Sequence, residues 1–279
     1  MRIGFLGGTG PAGSALAARL ASVGYDAVIG SRSKYRAMEA RDSIVEKWPE
    51  LAPRLTYADN AGASDCDVVV IATPWDAAAT TAQENATALE GKIVVSMANA
   101  LVRVGHEFQP LVPPRGSVAA HVQAAVPRCR VVAAFHHLPA TELGHIGEPI
   151  DSDVLICGDD PAAVITISEI VSKIPGCRPL DAGELSNATA IEAFTAVLLQ
   201  LNVRYKTRVA PKLTGIKGDP RAAKAKSGGE GSVSDESHGG SSRSKAVASP
   251  GQVNSPGQVN SPGQRSKRRT GFAPPFTSF

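Results

Sequence analysis

Long hydrophobic runs are missing from this sequence, and several features that mark particular protein classes are weak. Aromatic residues make up only 5% of the 279 residues, and the net charge at pH 7 is only +3. No apolar run reaches the roughly 20 residues that span a bilayer, and the N-terminus opens directly on a strand-like run. We therefore expect no membrane association and no signal peptide, and we expect no nucleic-acid partner because no segment resembles a nucleic-acid-binding module.

Cysteine is scarce as well. The four cysteines, Cys66, Cys129, Cys157 and Cys177, are far apart and form no CxxC pair. They lie in or beside apolar runs, which predicts buried thiols. Together with the missing signal peptide, this pattern predicts a cytoplasmic protein.

The composition changes sharply after about Ile216. Residues 217–279 are rich in Gly, Ser, Pro, Lys and Arg, and the six residues from Ser249 to Asn254 are repeated at 255–260. Such a segment buries too little apolar surface to offset its ordering entropy, so we predict a disordered tail. We interpret the basic cluster at 265–269 as a solvated part of this tail, with a contact to nucleic acid or an anionic surface as the alternative.

The strongest signal lies in the first 33 residues. An apolar run, Met1 to Leu6, is followed by Gly7-Gly8-Thr9-Gly10-Pro11-Ala12-Gly13, then by an amphipathic helical pattern and a second apolar run at 27–29. In a dinucleotide site Gly8 would permit the tight turn, Gly10 the approach of a pyrophosphate, and Gly13 close helix packing. The alternative is a glycine turn in an ordinary α/β protein; the spacing favours a bound dinucleotide.

The end of the second apolar run indicates which dinucleotide is bound. NAD sites carry Asp or Glu there, whereas this chain has Ser31 and Arg32, followed by Lys34 and Arg36. A guanidinium and a hydroxyl suit a 2′-phosphate, and Thr9 could add a second hydroxyl. A solvated basic loop is the alternative; we favour NADP.

The rest of the chain predicts a Rossmann-type α/β fold, with a doubly wound, mostly parallel sheet. The β-branched run at 68–72 is typical of a parallel strand covered on both faces. Residues 103–115 are proline-rich and predicted to be a loop, and a last helix at 188–205 is apolar enough to pack against the sheet or a partner subunit. We predict an NADP-binding domain at 1–145, a small C-terminal extension at 146–216 and the disordered tail at 217–279.

Two features of the strand ends leave alternatives open. Trp75, after the 68–72 strand, could line one side of the cofactor site or pack in the core. His136 and His137 invite a metal interpretation, but adjacent side chains of an extended segment point to opposite faces. Since no other cluster has ligand spacing, we expect no metal.

The chain resembles the NADPH-dependent reductases of the deazaflavin coenzyme F420 from Met1 to about Ile216. The motifs that carry the resemblance are Gly7–Gly10, Gly30–Arg32, Thr73–Trp75, Lys92–Ser96, His136–Ala140, Cys157–Asp160 and Arg178–Gly183. The last three lie outside the generic nucleotide fold and are more specific. The loop at 97–100 is less proline-like than in relatives, and the resemblance implies that it faces the second substrate.

The resemblance implies hydride transfer between NADP(H) and coenzyme F420 in a cleft at the carboxyl ends of the strands, completed by the extension. The NADP site that it implies comprises Thr9, Gly10, Pro11, Ala12, Ser31, Arg32, Arg36, Thr73, Pro74, Trp75, Asn99 and Ala140. It places His136 and Leu138 near the deazaflavin. His136 is a candidate to supply the proton that the reduced ring gains, with a structural hydrogen bonder as the alternative, and we assign no catalytic residue.

Two rival functions remain at this point. An NADPH-dependent reductase of a small imine or keto acid would share the nucleotide domain, but such enzymes usually have a longer helical C-terminal domain. A non-catalytic NADP-sensing protein would keep the cleft without turnover. The apolar surface of the last helix favours a homodimer.

Overall fold

The computed structural model of the chain describes residues 1–216. The predicted disordered tail at 217–279 lies outside the described residues. None of the helices in the described part combines the length and the apolar character that a bilayer crossing needs.

Strands and helices alternate along most of the described chain. The strands are β1 (Arg2–Leu6), β2 (Asp26–Ser31), β3 (Leu55–Asp59), β4 (Val68–Ile71), β5 (Ile93–Ser96), β6 (Leu101–Val104), β7 (Glu107–Pro110), β8 (Arg130–Ala133), β9 (Ser152–Gly158) and β10 (Cys177–Asp181). The helices are α1 (Pro11–Ser22), α2 (Lys34–Lys47), α3 (Asn60–Ser64), α4 (Trp75–Glu84), α5 (Ala86–Leu89), α6 (Val118–Ala125), α7 (Ala140–Gly144), α8 (Pro161–Ser172) and α9 (Ala188–Tyr205).

Eight strands form one sheet in the order β10-β9-β8-β5-β4-β1-β2-β3. From β3 to β8 all neighbours are parallel. This reproduces the order of the doubly wound dinucleotide-binding fold, with β8 as its sixth strand. The predicted Rossmann-type fold is confirmed.

Strand β4 shows why the central strands are apolar throughout. Val68 and Val70 face the apolar cluster that includes Leu16 and Leu20 of α1. Val69 and Ile71 face the opposite cluster, which includes residues of α4 and α6. Successive side chains of a strand point to opposite faces, so a sheet with helices on both sides needs an apolar residue at every position.

The C-terminal residues extend the same sheet. β9 runs antiparallel to β8, and β10 pairs in parallel with β9 at the edge of the sheet. Asp153 of β9 is fully buried and accepts two hydrogen bonds from the Arg178 guanidinium, at 2.8 and 2.7 Å. Its carboxylate also accepts from the Leu213 N–H, and the Arg178 hydrogen bonds are the main cause of its lowered pKa. Asp153 and Arg178 therefore anchor the segment that follows α9.

The prediction of a loop at 103–115 is wrong in part, because β6 and β7 form an antiparallel hairpin. Gly105 occupies the left-handed region at the hairpin turn, with φ of 61°. The Phe108 N–H donates to the Gln200 side chain of α9 at 3.2 Å. The pairing was not apparent in the sequence because neighbouring prolines suggested a loop, while the contact partner lies about ninety residues away.

Helix α9 packs with one face against β7 and α6, and its Thr195 reaches the segments that follow β5 and β8. Ile191, Thr195 and Leu198 are buried, whereas Phe194 and Val197 are 38% and 51% exposed. Asn187 is the N-cap residue, but its side chain donates to the Ala182 carbonyl and does not cap the helix.

Candidate functional site

The turn after β1 requires glycine at several positions, each for a different reason. We expected Gly8 to permit the tight turn, but the residue in the left-handed region is Gly7, with φ of 69°. The turn therefore depends on Gly7. A Cβ on Gly8 would lie 2.6 Å from the Phe5 Cβ, and one on Gly13 would lie 2.8 Å from the Ala72 Cβ. A Cβ on Gly10 would meet open space. Gly10 is therefore the glycine whose surroundings leave room for a ligand.

The N-terminus of α1 is suited to an anion. Gly10 is the N-cap residue and Pro11 is the first helical residue, and no side chain caps the helix. The N–H groups of the first turn therefore remain available, and they carry the positive end of the helix dipole. Thr9 and Ala12 are half-buried beside this terminus, and Pro11 is exposed. A pyrophosphate fits this arrangement.

Asn60 holds the glycine turn from a neighbouring helix, a role that the sequence did not reveal. Its side-chain oxygen accepts a hydrogen bond from the Gly7 N–H at 3.2 Å. Asn60 begins α3, which is capped by the Asp59 carboxylate through the Gly62 N–H. The two partners are about fifty residues apart in the chain, so no local pattern signals the contact.

The residues at the end of β2 form the basic corner that the sequence predicts. Ser31 is buried and its hydroxyl accepts from the Ser33 N–H at 3.3 Å, while Ser33 caps α2 through the Arg36 N–H. Arg32 and Arg36 are exposed, and within residues 1–216 neither guanidinium is held in an ion pair. Two unpaired cations beside a buried hydroxyl suit a 2′-phosphate.

The segment after β4 lies against the glycine turn. A Cβ on Gly7 would lie 2.4 Å from the Cγ2 atom of Thr73. The Thr73 hydroxyl is buried and has no hydrogen-bond partner in the described part of the chain. Pro74 is exposed, and Trp75 begins α4 with 36% of its surface exposed. Trp75 is therefore not a member of the buried core clusters, and it directly follows the loop after β4.

The ends of β5 and β8 are joined to α9 by a hydrogen-bond network. The Asn99 amide donates to the His136 carbonyl at 2.8 Å. The Thr195 hydroxyl is 3.2 Å from the Asn99 side-chain oxygen and 3.4 Å from the same carbonyl. This network brings together two of the residues that the resemblance implies, Asn99 and His136, and adds Thr195, which it did not name.

The His136 ring is enclosed beside a buried acid. The imidazole is fully buried, neither of its nitrogens has a hydrogen-bond partner in the described residues, and Nε2 lies 3.9 Å from the Glu192 carboxylate. Burial, followed by the charge of His137, lowers the pKa of His136 to about 3. The ring is therefore neutral at pH 7 and cannot act there as an imidazolium acid.

Glu192 connects α9 to α6. Its two carboxylate oxygens accept the Val118 and Ala119 N–H groups at 2.8 and 3.1 Å. Burial raises the pKa of this carboxyl to about 7, although the two N–H groups oppose the shift. No sequence pattern marked Glu192, because its partners lie more than seventy residues earlier in the chain.

His136 and His137 lie in a turn rather than in the extended segment that we expected, because Phe135 has a left-handed φ of 66°. The two rings nevertheless serve different contacts. His137 Nε2 lies 2.8 Å from the Asp153 carbonyl, on the side of β9. Within residues 1–216 no cluster of three or more potential ligands could hold a metal ion.

The remaining residues that the resemblance implies sit directly after this turn. Leu138 is buried with 6% of its surface exposed, and Ala140 is half-buried as the first residue of α7. The glycine turn, the basic corner and the segments after β4, β5 and β8 thus follow adjacent parallel strands at one edge of the sheet. Open α/β sheets bind ligands at this edge.

Comparison with known proteins identifies the family. Residues 2–100 match the family model described as NADP oxidoreductase, coenzyme F420-dependent. The chain is 37% identical over 225 residues to the F420-dependent NADP reductase of Methanocaldococcus jannaschii. The aligned residues cover 78% of this chain and 97% of that protein. The chain belongs to the F420-dependent NADP reductase family.

Two further relatives agree with this assignment to the F420-dependent NADP reductases. The F420-dependent NADP reductase of Methanothermobacter marburgensis is 32% identical over 219 residues, covering 75% of this chain and 96% of that protein. The crystal structure of a proposed F420-dependent NADP reductase from Arthrobacter sp. FB24 superposes with a TM-score of 0.61 at 26% identity. It covers 75% of this chain and 99% of that chain.

Replacing Glu192 with Gln should change how the free energy of unfolding of this protein depends on pH. Burial raises the pKa of the Glu192 carboxyl from 4.5 to about 7, so the folded protein binds this proton more tightly than the unfolded chain does. The resulting stabilisation is complete below pH 4.5 and is lost as the pH rises through about 7. Between these limits the wild type should lose about 2–4 kcal/mol relative to Glu192→Gln.

Urea melts of both proteins at several pH values measure this difference. The titrations of His136 and His137 are present in both proteins, so the comparison largely removes them. A constant difference in the free energy of unfolding across this range would show that Glu192 titrates normally.

Proposed function

We propose that this protein transfers a hydride between NADP(H) and coenzyme F420. The observation that carries the proposal is family membership over nearly the whole length of its reductase relatives. The site agrees with it, because the strand that ordinarily supplies a carboxylate for NAD supplies Ser31 and Arg32 here.

The chain's own residues act mainly by holding and enclosing the reactants. The amides of the α1 N-terminus hold the pyrophosphate, and Ser31, Arg32 and Arg36 hold the 2′-phosphate. When bound, nicotinamide and deazaflavin supply the hydride chemistry themselves, so the protein must align them and exclude water. The hydrogen-bond network of Asn99, His136 and Thr195, which joins the ends of β5 and β8 to α9, would form the floor of the cleft.

The C-terminal extension at 146–216 completes the deazaflavin cleft in this proposal. Its helix α9 contributes Thr195 and Glu192, which meet Asn99, His136 and the first turn of α6. His136 remains outside the list of catalytic residues, since its pKa of about 3 leaves the ring neutral. The proton that accompanies reduction of the deazaflavin would then come from solvent.

A spectroscopic assay tests the proposed function. Purified protein is mixed with oxidised coenzyme F420 and NADPH, with NADH in a parallel cuvette, and the loss of the visible deazaflavin absorbance is followed. We expect bleaching with NADPH and little with NADH. Tight NADPH binding without bleaching would move the function to another substrate or to NADP sensing.

We propose further that the outer face of α9 binds a second copy of the chain. Phe194, Val197, Leu201 and Tyr205 recur at helical spacing, which places them on one face. Phe194, Val197 and Tyr205 are between 38% and 71% exposed. An apolar stripe on an outer helix marks an interaction surface.

The mass in solution tests this dimer. Wild type should have the mass of a dimer by light scattering, and Val197→Glu should shift it towards a monomer. Ile165→Glu, at an exposed apolar site on α8, is the control that should stay dimeric. A monomeric wild type would contradict the proposal.

A cytoplasmic location also remains part of the proposal. Cys66, Cys129 and Cys157 are buried, all four cysteines are free thiols, and burial raises the pKa of each. Raised thiol pKa values disfavour the reactive thiolate and are consistent with structural cysteines.

A further inference from the structure

The His136 imidazole lies in the turn after β8 with two unsatisfied nitrogens. Its side chain is fully buried, and neither Nδ1 nor Nε2 has a hydrogen-bond partner within residues 1–216. Nearly all buried polar groups in proteins have a partner, which is a protein group, an ordered water or a ligand. The ring therefore offers two positions whose partners remain to be identified.

Glu192 of α9 is the acid that faces one of these nitrogens. Its carboxylate lies 3.9 Å from Nε2 of His136, and only 5% of its side chain is exposed. This distance is about 1 Å longer than a hydrogen bond, so a small movement of the ring or one bridging water connects the two groups. Both connections transmit the same polarity, because a water that donates to one group accepts from the other.

The acid and the ring are held opposite each other by hydrogen bonds to their surroundings. The two oxygens of Glu192 accept from the Val118 and Ala119 N–H groups at 2.8 and 3.1 Å, at the positive end of the α6 dipole. The backbone of His136 is fixed from the same helix as Glu192, since the Thr195 hydroxyl lies 3.4 Å from the His136 carbonyl. Helix α9 thus reaches both the ring and the backbone of this residue.

The other titratable groups around this pair keep their protonation states at pH 7. Burial, followed by the charge of the carboxylate, raises the pKa of the Cys157 thiol of β9 to about 12, and Asp159 and Asp181 raise it further. Burial lowers the pKa of His137, which lies next to the ring in the same turn. Helix α6 faces the carboxylate with backbone N–H groups. The carboxyl itself, whose pKa burial raises to about 7, is therefore the group that changes its charge near pH 7.

We propose that Glu192 is a positioning residue that sets the tautomer of the His136 ring. When Glu192 is ionised, Nε2–H donates to its carboxylate, and Nδ1 is left as an acceptor. When Glu192 is protonated, its O–H donates to Nε2, and the imidazole proton lies on Nδ1, which becomes a donor. On ionisation the carboxyl proton passes to Nε2 and Nδ1 releases its own proton to solvent, so the pair loses one proton and the ring stays neutral.

The hydrogen-bonding polarity of Nδ1 is the property through which Glu192 acts at the site. His136 follows β8 at the edge of the sheet where open α/β sheets bind ligands, and the Asn99 amide after β5 donates to its carbonyl. A polar group that meets Nδ1 finds a donor below about pH 7 and an acceptor above it. In its effect on hydride transfer this inference rests on the proposed function, whereas the tautomer is a property of the protein alone.

Nuclear magnetic resonance of the protein without ligands tests the tautomer. Protein that contains isotope-labelled histidine is titrated over about one pH unit on either side of the Glu192 pKa of about 7. The shifts of the two ring nitrogens show which of them carries the proton, and His136→Gln assigns the signals by removing them. We expect the ratio of the Nε2–H to the Nδ1–H tautomer of His136 to rise about tenfold per pH unit, as the ionisation of one carboxyl does.

His137 and two variants supply the controls. His137 Nε2 lies 2.8 Å from the Asp153 carbonyl, which only accepts, and this contact is shorter than the 3.4 Å to the Leu155 N–H. His137 should therefore keep its proton on Nε2 at every pH. Glu192→Gln should hold His136 at one tautomer ratio throughout. Glu184→Gln, the same change at an exposed acid before α9, should behave as the wild type does.

Turnover gives a second measurement. The ratio of the wild-type kcat to the Glu192→Gln kcat, with NADPH and coenzyme F420, removes the titrations that both proteins and their substrates share. We expect this ratio to change around pH 7, where Glu192 ionises. The ratio of the KM values for NADPH should stay constant, because the basic corner at the end of β2 contains neither residue of the pair.

Three outcomes would overturn the proposal. A His136 tautomer ratio that is constant with pH in the wild type, or that still changes in Glu192→Gln, would show that this acid does not set it. Protonation of both ring nitrogens near pH 7 would mean that the pair is ionic. A kcat ratio that is constant with pH would remove the positioning role. Failure of the proposed function is distinguishable, because the wild type would then show no turnover, whereas the resonance titration uses no substrate.

Discussion

Arg32→Ala should weaken NADPH binding by about 1.5–3 kcal/mol, the range for a hydrogen bond to a charged group. This corresponds to a roughly 10- to 150-fold higher dissociation constant. NADH, which lacks the 2′-phosphate, should bind about as well to the variant as to the wild type. The structure supports this separation, since Arg32 is exposed and is held by no carboxylate in the described residues.

Titration of both nucleotides against the wild type and the variant measures this effect. Lys34→Ala is the matched control, because Lys34 is an exposed cation of the same corner to which we assign no phosphate contact. It should change the affinity for either nucleotide by less than the Arg32 variant does. An equal loss for NADPH and NADH would mean that Arg32 does not recognise the 2′-phosphate.

Arg19→Leu should destabilise the fold by at least about 3 kcal/mol, since it removes several charged hydrogen bonds at once. Arg19 is fully buried in α1, and its five N–H donors all reach carbonyl oxygens. These are the carbonyls of Glu142, Leu143, His145, Ile146 and Glu148. They include carbonyls at the end of α7, where the negative end of the helix dipole favours a cation.

Denaturant melts of three variants check the reason for this loss. Arg19→Lys keeps the charge but has only three donors, so it should fall between wild type and Arg19→Leu. Arg54→Leu removes a half-exposed arginine whose ion pair with Asp26 spans 3.1 Å, and it should cost less than about 1 kcal/mol. A similar cost for Arg19→Leu and Arg54→Leu would show that the carbonyl contacts contribute little.

Much of the fold could be predicted because its signals are local. The parallel sheet follows from apolar runs such as Val68–Ile71, in which both faces of the strand are covered. The helix after Asp160 follows from a capping carboxylate and a first-turn proline, and the structure has both. The hairpin of β6 and β7 could not be predicted, because neighbouring prolines suggested a loop and the helix against which it packs, α9, lies about ninety residues away in the chain.

The candidate site divides in the same way. Ser31 and Arg32 indicated NADP because residues at the end of the second strand contact the ribose 2′ position in this fold. Their position can be read from the local sequence. Asn60 and Thr195 support the site through contacts to residues about fifty to a hundred positions away. His136 was a candidate by position, but only the packing around it showed that its ring is buried and neutral.

By itself the sequence determined the nucleotide fold, the glycine turn and the preference for a 2′-phosphate, since each depends on residues within a few turns of chain. Only the tertiary structure decided which groups became buried partners. Arg19 looked like an ordinary helical cation and Glu192 like one acid in an apolar helix. Burial against distant carbonyls and amides gave them their roles, because the free energy of a charge depends on its surroundings.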